Sequence, residues 1–62
     1  MTTFKQLEIA CKQKGIVCER TGRTVELTTP DGGTTAECET VGEAVNTFFY
    51  DHVFASLPVK QN

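Results

Sequence analysis

The sequence has no block of like charge, no closely spaced cysteine pair, no glycine-rich phosphate loop and no long apolar run. Each absence excludes something. Clustered lysine and arginine neutralise phosphates, so a chain without such a cluster argues against general affinity for nucleic acid. Structural zinc sites usually start from two ligands held by one turn, and no Cys-x-x-Cys is present. Asp31-Gly32-Gly33 follows a strand-like run but opens no helix, so it reads as a hairpin turn and not a phosphate cradle. No apolar stretch approaches the roughly 20 residues needed to span a bilayer. Behind Met-Thr-Thr-Phe-Lys there is no apolar segment of the export type, so we expect no signal peptide and a cytoplasmic location. The three cysteines are then expected to be reduced thiols and not a disulfide framework.

What is present fits one small globular domain over residues 1–62, with residues 58–62 expected to form a frayed tail. The hydrophobic fraction of 39% and charged fraction of 23% are ordinary for a folded chain. A domain this short buries only about 60% of the surface its unfolded form exposes, which keeps its stability margin thin. The net charge of −2 is unevenly spread. Lys5, Lys12 and Lys14 oppose only Glu8 near the start, whereas from Glu19 to Asp51 acidic residues dominate over Arg20 and Arg23.

Local patterns give an order of elements. Thr3 and Gln6 have capping-box spacing, and Phe4, Leu7 and Cys11 form one stripe of an amphipathic helix ending at Gly15. Ile16–Arg20, Thr24–Thr29 and Thr34–Cys38 read as strands, with turns at Thr21-Gly22 and at Pro30-Asp31-Gly32-Gly33. Alternation assigns Ile16, Cys18, Val25, Leu27, Ala36 and Cys38 to an inner face. Val17, Glu19, Thr24, Glu26, Thr28, Thr35 and Glu37 fall on the outer one. Thr40 and Glu43 form a second capping box, opening a helix expected to run from 41 to 54 or 55. Its apolar side collects Val41, Ala44, Val45, Phe48, Phe49 and His52, with Val53 at the edge. The predicted fold is a two-layer α+β domain, αβββα, with both helices on one face of a three-stranded antiparallel sheet.

This order and length resemble the double-stranded-RNA-binding domain across nearly the whole chain, as a succession of elements. The resemblance implies phosphate contacts from a lysine-rich opening of the second helix. Here that opening reads Val41-Gly42-Glu43-Ala44 behind Glu39 and Thr40, so the nearest charges repel phosphate. A nucleic-acid-binding alternative therefore falls to Lys5, Lys12 and Lys14 on the first helix.

The remaining chemistry is sparse. Cys11, Cys18, Cys38 and His52 all map to the interior and make a conceivable zinc set, but three core thiols are the expectation, with no metal and no cofactor. A Cys–His nucleophile needs an accessible, low-pKa thiol, and each cysteine falls on the buried face, so no catalytic residue is assigned. The informative excess is a second stripe on the second helix, Tyr50, Phe54 and Leu57 at i, i+4 and i+7. A helix apolar nearly all round usually buries both sides, so these three are the expected contact with a protein partner or a second copy. Glu19, Glu26 and Glu37 make an acidic outer sheet face that would steer a basic partner. The sequence thus leads to a non-enzymatic interaction module that self-associates through its second helix.

Overall fold

The computed structural model describes residues 3–60. The order is α1 (Phe4–Lys14), β1 (Val17–Thr21), β2 (Thr24–Thr28), β3 (Thr35–Cys38), α2 (Val41–Tyr50) and α3 (His52–Ala55). One antiparallel sheet has strand order β1-β2-β3, giving the expected α+β fold. Among the described residues, no helix is long and apolar enough to cross a membrane.

Caps and turns account for the boundaries. Thr3 Oγ1 accepts from the Gln6 N–H at 3.2 Å while Gln6 Oε1 accepts from the Thr3 N–H at 2.9 Å, so both halves of the capping box form. Gly15 ends α1 at φ 75°, a conformation that is inexpensive for glycine alone, and its N–H returns to the Lys12 carbonyl at 3.1 Å. In the β2–β3 connection, Thr29 Oγ1 donates to Asp31 Oδ1 at 2.6 Å and accepts from the Thr34 N–H at 3.1 Å. The same Asp31 oxygen accepts from the Gly33 N–H at 2.9 Å. These two bonds hold the Asp31 carboxyl below its ordinary value.

Strand alternation sets the core. Val25 pairs with Cys38 and Leu27 with Ala36, and Cys18 pairs with Leu27 on the other side. Val25, Leu27 and Cys38 join Leu7 and Cys11 of α1, Ile16, Ala44 and Phe48 of α2, and Phe54 in one buried cluster. The alternate residues Val17, Glu19, Thr35 and Glu37 are exposed.

The second helix departs from expectation. It stops at Tyr50, because Asp51 takes an extended conformation (φ −69°, ψ 124°) and its carboxylate accepts from the Val53 N–H at 2.9 Å. Asp51 thereby ends α2 and caps α3. A short acidic side chain that satisfies a nearby N–H competes with helix continuation. The break turns Phe54 inward, to 1% exposure. Burying a phenylalanine contributes roughly 1.5–3 kcal/mol, which readily offsets one interrupted helical turn.

Within the segment expected to be a frayed tail, residue 60 makes one backbone bond to α1. The Lys60 N–H donates to the Gln13 carbonyl at 2.6 Å, tying residues through 60 to the end of α1. Residues 61 and 62 lie outside the described residues.

Candidate functional site

The stripe Tyr50, Phe54 and Leu57 does not survive the break at Asp51. Tyr50 is 81% exposed, Phe54 belongs to the core, and Leu57 is half-buried against it. A helical wheel drawn through Asp51 put the three on one line; the extended backbone there removes the line. Phe49, expected on the inner side, is instead 52% exposed and meets Phe48 edge to face, with ring centroids 4.9 Å apart.

A different apolar surface results. A groove of about 330 Å³ is lined by Ala10, Gln13, Lys14, Phe48, Phe49, Ala55 and Val59. Phe49 and Val59 are both large hydrophobic residues left half exposed beside it. The Tyr50 ring follows Phe49 at the end of α2. The groove is hidden from sequence patterns because Val59 lies beyond the last periodic element, in the segment expected to be a tail. Asp51, a good cap residue followed two positions later by an N–H to satisfy, was the signal for the break.

Charge is engaged within the fold around the groove. Lys14, the only charged residue in its lining among the described residues, donates from Nζ to the Phe54 carbonyl at 3.1 Å and the Ala55 carbonyl at 3.2 Å. The same ammonium lies 4.8 Å from the centroid of the Phe48 ring. Lys14 is therefore spent on the last carbonyls of α3 and is no free phosphate ligand beside Lys5 and Lys12, which are exposed.

The outer sheet face carries a regular feature. The registers Glu19↔Glu26 and Glu26↔Glu37 set three glutamates directly opposite one another across all three strands. Like charges directly opposite destabilise a sheet, so this row has a cost in folding.

Cys11, Cys18, Cys38 and His52, the conceivable zinc set, do not converge on one point. Cys11 and Cys38 are buried, Cys18 is half-buried, and His52 is exposed in the first turn of α3. Expected on the apolar side of a continuous helix, His52 is carried outward by the break at Asp51. Among the described residues no three His, Cys, Asp or Glu side chains converge on a common point suited to a metal. Burial pushes the Cys11 thiol up to about 12, helped by Cys18 beside it, and burial also raises Cys18. Cys38 Sγ sits 3.6 Å from Thr47 Oγ1.

Compared with known proteins, the chain matches no family model, no curated protein and no solved structure.

Proposed function

We propose that this chain is a non-enzymatic interaction module that pairs with a second copy of itself through the groove beside α2. The observation that carries this reading is the pair Phe49 and Val59, half exposed on an apolar groove, with Tyr50, the next residue along α2 after Phe49, 81% exposed. Contiguous exposed apolar surface of this kind marks contact sites, and aromatic residues are enriched in them.

A second copy fits as occupant for two reasons. A two-fold interface must be self-complementary, and here the end of α2 places exposed rings beside a hollow that it shares with α1, Ala55 and Val59. Among the described residues, the groove lining contains no carboxylate, and its one ammonium is satisfied by the Phe54 and Ala55 carbonyls. Two copies can therefore meet there with little like-charge repulsion. The raised Cys11 and Cys18 thiols support the non-enzymatic part of the reading, since a nucleophilic cysteine needs the opposite shift.

Sedimentation velocity over a concentration series tests the proposal, with Tyr50→Ser and Val59→Ser as variants. Both side chains are half exposed or more, so folding should tolerate the changes. The expected result is a dimer that each variant weakens at least tenfold, about 1.4 kcal/mol or more. A dimer indifferent to both changes would move the interface elsewhere.

The register of Glu19, Glu26 and Glu37 favours a second role for the same module, attraction of a basic protein partner to the outer sheet face. Nucleic-acid binding through α1 is the weaker alternative, because Lys14 is engaged and only Lys5 and Lys12 remain exposed there. Retention on duplex RNA that falls steeply with added salt would favour that alternative.

A further inference from the structure

β1 is an edge strand, and its free edge can be assigned residue by residue. The pair Thr21↔Thr24 closes a tight turn through Gly22, at φ 63°, and pairing then runs one to one back to Val17↔Thr28. In such a hairpin the closing pair exchanges both backbone bonds, and bonded and unbonded pairs alternate from there. The Thr29 N–H bond to the Thr34 carbonyl at 2.9 Å fixes the same parity from the other side. It turns Val25 and Leu27 towards β3, and Thr24, Glu26 and Thr28 towards β1. Val17, Glu19 and Thr21 therefore spend their backbone groups on β2, whereas Cys18 and Arg20 direct theirs outward. Among the described residues, nothing pairs with that outer edge. β1 also lacks the proline, lysine or bulge that commonly guards an open edge.

Beside this edge lies an open groove of about 490 Å³ between α1 and the start of β1. Its lining is Glu8, Ile9, Lys12, Gly15, Ile16 and Cys18, and Ile9 is 55% exposed. Glu8 and Lys12 bring one charge of each sign, so the groove itself prefers neither. The Arg20 guanidinium lies 5.0 Å from the Phe4 ring centroid, and its Nε donates to the Gly22 carbonyl at 2.9 Å. That charge is held against the fold. On the outer face Glu19 stands at the open end of the glutamate row, exposed and opposite Glu26. A helix flanking an unpaired strand edge is the geometry of peptide capture by strand addition.

We propose that β1 takes up an extended peptide of a protein partner as a fourth, antiparallel strand, with a lysine or arginine opposite Glu19 and an apolar residue on each side of it. Antiparallel pairing is the arrangement of the whole sheet and the more stable one per residue. Side chains alternate along a strand, so the cation shares the outer face with Glu19. Its two neighbours, opposite Cys18 and Arg20, fall on the inner face beside the groove and Ile9. Opposite charges facing across strands stabilise a sheet and like charges destabilise it. A cation at the open end thus relieves the row Glu19, Glu26 and Glu37, whereas a second copy of β1 centred on this position would set Glu19 against Glu19. The proposal rests on attraction of a basic partner to the outer sheet face and adds how that partner is held. Pairing through α2 is independent of it.

The probe is the capped peptide Thr-Val-Lys-Val-Thr, titrated into isotope-labelled protein and followed by NMR. The expected result is saturable shifts, largest at the Cys18 and Arg20 amides. N-methylation of both valines removes the N–H groups that face β1 and should abolish binding. N-methylation of the lysine, whose N–H points away from β1, should leave binding unchanged. Glu19→Lys, at an exposed position, should weaken the lysine peptide about fivefold and strengthen Thr-Val-Glu-Val-Thr by a similar factor. The same substitution removes a like-charge pair with Glu26, so its fold should be at least as stable as wild type and lost binding is not lost structure. Absence of saturable shifts, or shifts centred on α2, would overturn the proposal. Equal binding of the valine-methylated and lysine-methylated peptides would overturn strand addition and leave attraction to the acidic face standing. Binding indifferent to Glu19→Lys would overturn that attraction as well.

Discussion

The Lys14 ammonium donates to the Phe54 carbonyl oxygen at 3.1 Å, joining the last turn of α1 to a short helix 40 residues away in sequence. Ala55 provides a second carbonyl at 3.2 Å, and the Phe48 ring lies 4.8 Å from the nitrogen. A cation at the C-terminal carbonyls of a helix is well placed, and hydrogen bonds to charged groups are among the stronger ones.

Replacing Lys14 by methionine keeps the apolar stem and removes the donor. We expect Lys14→Met to cost about 2 kcal/mol in urea denaturation. Lys5→Met, at an exposed position on the same helix, should change stability by less than about 0.5 kcal/mol. Equal effects would mean that the clamp on α3 contributes nothing particular.

Asp51 should be equally revealing. Its carboxylate caps α3 through the Val53 N–H, and its extended backbone separates Tyr50 from Phe54. Asp51→Ala should destabilise the fold by about 1 kcal/mol, the usual value for a lost cap. A gain in stability, with more helix by circular dichroism, would instead favour one uninterrupted second helix.

Alkaline stability follows from Cys11. Burial, then Cys18 beside it, push its thiol from an ordinary 9.0 up to about 12. Between these values the folded chain keeps a proton that the unfolded chain gives up. Stability from this group is therefore complete below pH 9 and falls as pH rises towards 12, by at most about 4 kcal/mol. Denaturation midpoints of wild type and Cys11→Ala should converge across that window. Parallel curves would show that the thiol does not ionise differently in the two states.

These predictions mark what the sequence could and could not convey. The strands and their faces were readable because alternation sends Val25, Leu27, Ala36 and Cys38 to one side, and a register shift would reverse them all. The two capping threonines and Gly15 announced the helix ends through backbone chemistry local to each. The interaction surface was not readable in the same way. A wheel assumes constant rotation, and one extended residue at Asp51 sends Tyr50 outward, Phe54 inward and His52 into solvent. Lys14 looked like a surface charge because its carbonyl partners lie far along the chain. The docking of Lys60 on Gln13 is a backbone bond, to which side-chain patterns are blind.

Pairing of two copies at the end of α2 would have a built-in reporter. Tyr50 is the only tyrosine, and the chain has no tryptophan, so tyrosine fluorescence reports on that one ring. The most direct measurement is acrylamide quenching of Tyr50 fluorescence as protein concentration rises. Pairing predicts a ring readily quenched in dilute protein, where it is 81% exposed, and increasingly protected as the dimer forms. Val59→Ser should shift that protection to at least tenfold higher concentration. Quenching that stays constant over the whole range would contradict the claim.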